Sequence, residues 1–189
     1  MTASVSTKEK ITNGFISLLN KRYFSEIKAV DIIKESNVSH QTFYRLFTDK
    51  YQLAETVCLD MFYRFQSVYG ENASWKDLSI ALLNIIKNNP RFFKHLTDDL
   101  EGAEIFRHSL QELSRRLTGS VGDPPVYYIW LCIVNEWAVN KFQDSVPEIY
   151  QKLCSSLPIS EILSGKELEQ ALQQYEQRDM RYYFDKSNT

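Results

Sequence analysis

The chain has 189 residues, enough for one substantial domain or a small domain joined to a medium one, and its 43% hydrophobic content suits a globular protein. Only five Pro and six Gly, with long stretches holding neither, argue against many short strands and predict an all-α protein built from long helices. A net charge of −2 excludes a surface that is basic throughout. Residues 1–60 nevertheless hold 8 Lys+Arg against 7 Asp+Glu, and residues 61–189 hold 14 against 17, so a local basic patch for phosphates remains open.

The first ten residues, MTASVSTKEK, lack the apolar run of a secretory leader. The longest apolar run, Val126 to Val134 (VYYIWLCIV), is far short of the roughly 20 residues that span a bilayer. The expectation is a soluble, unexported, cytoplasmic protein that contacts no membrane. Cys58, Cys132 and Cys154 are odd in number and have no CxxC or His partner spacing, so they read as small core residues in a reducing compartment.

In chain order, Ser6 with Glu9 has the capping-box spacing and predicts a first helix over 7–21 with Ile11, Phe15, Leu18 and Leu19 on its buried face. A short second helix over 29–36 buries Ile32 and Ile33, and Asn37, a residue that tolerates left-handed backbone, turns the chain into a third helix at Ser39. A fourth starts near Asp49, with Gln52 three residues on, and places Leu53, Val57, Met61 and Phe65 at helical spacing. Gly70-Glu71-Asn72 breaks it. Helical patterns follow at 75–88, 90–97, 101–118, 124–143, 146–157 and 165–184, with GSVGDPP (119–125) the most loop-like segment. Further N-cap signals are Ser74 with Asp77, Asn89-Pro90, Asp123-Pro124, Ser145 with Glu148 and Ser164 with Glu167. The acidic run Asp98, Asp99, Glu101 and Glu104 reads as a solvated helix start.

The stretch VSHQTFYRLF (38–47) carries the chemistry. Two short helices joined by a tight turn, the second opened by a small N-cap residue, make a helix-turn-helix, whose second helix enters the major groove with its N-terminal residues on base edges. Phe43 and Phe47 face inward, and His40, Gln41, Thr42, Tyr44 and Arg45 project outward. The plain alternative is the solvated face of a small bundle. No GxSxG, Gly-rich phosphate loop or paired-carboxylate motif appears, and His95 and His108 have no ligand-spaced partners. Neither an enzyme nor a metal or cofactor site is expected. Tyr127, Tyr128, Trp130, Trp137 and Phe142 fill a core or line a pocket. An amphipathic last helix, with Leu168, Leu172 and Tyr175 on one face, packs on its own domain or joins a dimer seam.

The spacing of Tyr23-Phe24, Ile27, Asp31-Ile32, Val38-Ser39, Thr42-Phe43-Tyr44, Phe47, Asp49-Lys50 and Leu53 resembles the DNA-binding domain of the tetracycline-repressor (TetR) family of bacterial transcription regulators, over about the first quarter of the chain. The resemblance implies an N-terminal three-helix DNA-binding domain (1–52) and a larger helical effector-binding and dimerisation domain (53–189). It further implies a homodimer on a pseudo-palindromic double-stranded operator and repression relieved by an effector. Position by position it makes Ser39, His40, Gln41, Thr42 and Arg45 base or phosphate contacts, and Tyr44 and Lys50 phosphate grips. Leu46 stands where relatives often carry a polar residue, Val30 where the site is often polar, and Lys28 where a Thr cap is usual, so Lys28 becomes a further phosphate contact. A small apolar or aromatic effector would lie among Phe92, Phe106, Leu110, Tyr127, Trp130 and Trp137. The alternatives are an activator, or a helical protein-interaction module answering to a protein co-regulator.

Overall fold

The computed structural model describes residues 6–63, 75–118 and 124–156. Every regular element among them is helical. The helices are α1 (Thr7–Leu19), α2 (Ala29–Glu35), α3 (His40–Leu46), α4 (Lys50–Tyr63), α5 (Trp75–Asn88), α6 (Pro90–Thr97), α7 (Leu100–Thr118), α8 (Pro124–Val139) and α9 (Val146–Ser156). One turn of 3-10 helix at Phe24–Glu26 precedes α2. Phe65, the break at 70–72, the Ser74, Asp123 and Ser164 caps and the helix expected over 165–184 lie outside the described residues.

Local chemistry sets most of the ends. Ser6 Oγ accepts from Glu9 N–H while Glu9 reaches back to Ser6 N–H, a complete capping box. Ser145 and Glu148 repeat it at α9. Asp49 Oδ1 accepts from Gln52 N–H at 2.8 Å, but the Gln52 amide oxygen reaches one residue further back, to Thr48 N–H. Asn89 does not cap α6. Its amide donates to Ile85 O instead, and Pro90 alone marks the start.

The helix pattern at 124–143 ends four residues early, at Val139. Phe142 N–H bonds Trp137 O at 2.8 Å and Lys141 N–H bonds Ala138 O at 3.0 Å, a Schellman closure in which Lys141 takes φ 54°. The Phe142 ring then seats on Trp137 at 5.4 Å. The α2–α3 turn closes the same way: Val38 N–H bonds Ile33 O, and Asn37 sits at φ 51°, as its residue type suggests.

The core is one continuous cluster running from Ile11 to Leu153. α1 packs on α2 and α6, α4 lies along α7, α6, α7 and α8 pack on one another, and α9 packs on α8 and α5. Phe15 makes edge contacts with Phe24 at 6.2 Å and with Phe92 at 6.4 Å, so α1 joins the first three helices to the remainder. Further in, Phe93 stacks on Phe62 and meets Phe106 and Phe92 edge-on. The predicted inward faces of α1 and α2 are buried, as are Leu53 and Val57. In α4, however, Phe62 rather than Met61 completes the stripe, because the buried face drifts toward Ala54 and Cys58 along the helix. Of the cysteines only Cys58 is a core residue. Its thiol is pushed up to about 12 by burial, whereas Cys132 is exposed on the outer face of α8 and Cys154 is half-buried.

Candidate nucleic-acid interface

α3 is a seven-residue helix held at both ends. Ser39 Oγ accepts from Thr42 N–H at 3.1 Å and shares a hydroxyl contact of 2.8 Å with Thr42 Oγ1. At the other end Phe47 N–H closes on Phe43 O, and Phe43 and Phe47 are both buried. With those two rings fixed inward, helical geometry turns His40, Gln41, Tyr44, Arg45 and Leu46 outward, and all five are exposed. Thr42 is half-buried by its contact with Ser39. Tyr44 is 53% exposed and leans edge-on against Phe43 at 5.2 Å, which orients the phenol without covering it.

α2 braces α3 from behind. Ile32 and Ile33 are buried, and Ser36 is tucked against Gly14 of α1, where a Cβ would come within 3.1 Å of Ser36. Lys28 precedes α2 with an exposed side chain that caps nothing. The missing Thr cap is replaced from the other direction, by Asp31 Oδ2 accepting Lys28 N–H at 3.0 Å. Val30 is 54% exposed and Leu46 38%. The outward surface of the bundle is therefore a mixture of hydrogen-bonding, cationic and apolar groups.

Lys50 stands apart from the exposed residues. Its Nζ donates to Phe24 O at 3.2 Å and pairs with Glu101 Oε2 at 3.2 Å, and the side chain is 14% exposed. Of the acidic run around it, Asp98, Glu101 and Glu104 are exposed, as a solvated helix start requires, and Asp99 is the exception. Asp99 is buried; its Oδ1 accepts Gly102 N–H at 3.1 Å, capping α7, and its Oδ2 accepts Ser25 N–H at 3.0 Å. Burial opposes ionisation of Asp99, but hydrogen bonds from Ser25 and from the backbone of Gly102 and Glu101 outweigh it and hold the carboxyl below its ordinary range. Glu101 also accepts from Tyr51 Oη at 3.0 Å. His95 Nδ1 lies 2.7 Å from Leu19 O, with its ring against Tyr23. These seam residues come from segments about 50–75 positions apart in sequence, and no local motif announces them.

The six aromatic and apolar residues read as an effector lining, Phe92, Phe106, Leu110, Tyr127, Trp130 and Trp137, are all buried in the core. A surface groove of about 510 Å³ between α8 and α9 takes only Trp137 from that set, with Ile133, Val139, Asp144 and Ile149 among its other walls. Lys152 pairs with Glu136 across it. Among the described residues no cluster of His, Cys, Asp or Glu is placed to hold a metal ion, and no helix is long and apolar enough to cross a membrane.

An all-helical chain whose α2 and α3 form a helix-turn-helix, backed by a larger set of helices, has the fold of the TetR-type transcriptional regulators. In particular it is similar to the TetR transcriptional regulator from Streptococcus agalactiae 2603V, at 24% identity and a TM-score of 0.57 over 78% of this chain and 90% of that one. It is also similar to the dihydroxyacetone kinase operon activator DhaS, at 17% identity and a TM-score of 0.52 over 79% of this chain and 93% of that one. No family model matches the chain, and no curated protein matches it in sequence.

Proposed function

We propose that this protein is a homodimeric, sequence-specific DNA-binding transcriptional regulator, a repressor that an effector releases from a pseudo-palindromic operator. The observation that carries the reading is the exposed polar face of α3, capped by Ser39 and anchored by Phe43 and Phe47, in a chain with a TetR-type fold. In this reading residues 1–52 read DNA and residues 53–189 dimerise and bind the effector. Ser39, His40, Gln41, Thr42 and Arg45 meet base edges or the nearest phosphates, and Tyr44 and Lys28 grip the backbone. Val30 and Leu46 supply apolar surface suited to thymine methyl groups. A two-fold axis sets the two α3 helices about 34–36 Å apart, or at a multiple of that, to enter successive major grooves.

A small apolar or aromatic effector would enter among Phe92, Phe106, Leu110, Tyr127, Trp130 and Trp137. These side chains are buried, so a ligand must enter the core to reach them, and it weakens DNA binding by no more than its differential affinity for the state it favours. Similarity to an operon activator favours a second reading in which the bound dimer activates transcription. Selection of duplexes from a random pool tests both: recovery of a pseudo-palindrome bound with a steep salt dependence supports the regulator, and a reporter carrying that site separates repression from activation. Absence of binding to any duplex at low salt would sink both.

A further inference from the structure

Lys50 opens α4, four residues beyond the end of α3, where a cation would ordinarily be assigned to a DNA phosphate. An ammonium has three donors and no acceptor. Two of the three are spent inside the protein, on Phe24 O and Glu101 Oε2, both at 3.2 Å. Nζ also lies 4.3 Å from the Phe24 ring centroid and 5.0 Å from that of Tyr51, so two aromatic faces occupy part of its remaining shell. Turning toward a phosphate would leave Glu101 with Tyr51 Oη and Phe24 O with Ile27 N–H, but would remove the cation paired with that carboxylate and surrender both ring contacts.

The surroundings share one geometry. Leu19, Tyr23, Phe24, Ser25, Lys50 and Tyr51 stand on the side of the α3 bundle, and His95, Asp99 and Glu101 stand on the corner between α6 and α7. Each residue of the second set holds at least one of the first, through His95 to Leu19 O, Asp99 to Ser25 N–H, and Glu101 to Lys50 and Tyr51. Lys50 and its neighbour Tyr51 both join the 3-10 turn, α4 and α7, and Lys50 brings the charge that pairs with Glu101.

We propose that Lys50 is a positioning residue and not a phosphate contact. With Glu101 it fixes the orientation of the α3 bundle against the first turn of α7, so that a displacement of that turn is passed to the DNA-reading face. The consequence for DNA rests on the regulator reading; the tie itself does not.

The test measures salt-dependent affinity for the selected duplex in wild type, Lys50→Met, Glu101→Gln, their double variant and Arg45→Ala. A double-mutant cycle on urea stability runs beside it, without DNA. The tie predicts that Lys50→Met and Glu101→Gln weaken binding by similar factors, on the order of tenfold, and that the double variant is no weaker than either. Both should keep the wild-type salt slope, whereas Arg45→Ala lowers it by about one per protomer. A slope lowered by about one in Lys50→Met, with Glu101→Gln binding as tightly as wild type or better, would overturn the proposal, because that is the behaviour of an ammonium on phosphate. Strict additivity in the stability cycle would overturn it as well, whatever the DNA result. If wild type binds no duplex, the regulator reading fails and the cycle alone decides whether the tie exists.

Discussion

Gly102 offers the sharpest test of the packing at the α6–α7 corner. A Cβ built there falls 2.2 Å from Leu96 O, 3.0 Å from Leu96 C and 3.1 Å from Leu96 Cδ1. Helix propensity alone would make Gly102→Ala stabilising by about 1 kcal/mol. Against that, the obstacle is a backbone carbonyl, which must retreat by about 1 Å, and overpacking of this kind costs about 1–3 kcal/mol. The retreat would also carry Asp99 away from Ser25 N–H. A 3.0 Å bond stretched by that much is no longer a hydrogen bond, and one made to a charged group contributes about 1.5–3 kcal/mol. The balance is a loss of about 2–4 kcal/mol, or a melting temperature lower by roughly 5–15 °C for a chain of this size. Thermal unfolding followed by circular dichroism measures it. Gly14→Ala is the internal control: its closest approach is 3.1 Å to Ser36, which asks for a shift of only a few tenths of an ångström, and a change within about 1 kcal/mol of wild type is expected. A Gly102→Ala melting temperature equal to or above that of wild type would refute the reasoning.

Lys141→Gly should raise stability by about 1 kcal/mol in urea unfolding, because Lys141 carries a left-handed φ of 54° that glycine adopts without steric cost; an unchanged or lower midpoint counts against the strain assigned to that turn. Ser39→Ala removes the acceptor for Thr42 N–H and should cost about 1 kcal/mol, measurable as a lower urea midpoint at unchanged m-value. Asp99 has a folded-state pKa below its unfolded value, so its contribution is fully present above about pH 4 and disappears as pH falls through the folded value. Wild type should therefore lose more stability between pH 6 and pH 3 than Asp99→Asn does, and parallel losses would show that Asp99 is not the titrating group.

Where the sequence could be read, a short-range rule was at work. The capping boxes at Ser6 and Ser145, the left-handed Asn37 and the inward pair Phe43/Phe47 depend on neighbours three to five residues away, and each is in place. Those same rules put His40, Gln41, Tyr44 and Arg45 on an exposed face. The departures come from elsewhere. Asp99 reads as solvent-facing because charge at a helix start suits water, and nothing local reveals that Ser25 would meet it or that Lys50 would meet Glu101. The resemblance that makes Lys50 a phosphate grip is equally silent on the carbonyl and rings beside its ammonium. The end of α8 at Val139 is not legible because the left-handed position that closes it holds Lys141, where glycine or asparagine would have signalled a stop.

The contact of Phe15 with both Phe24 and Phe92 has a practical corollary for building hybrid chains on this fold. Exchanging N-terminal heads between proteins of this fold by splicing near residue 52 would graft a new Phe24, Ser25 and Lys50 onto an old Phe92, Asp99 and Glu101. A splice that honours the seam must transplant a discontinuous unit, the first 52 residues together with the matching corner at 92–102. Heads exchanged without that corner should express as chains whose two halves no longer melt as one.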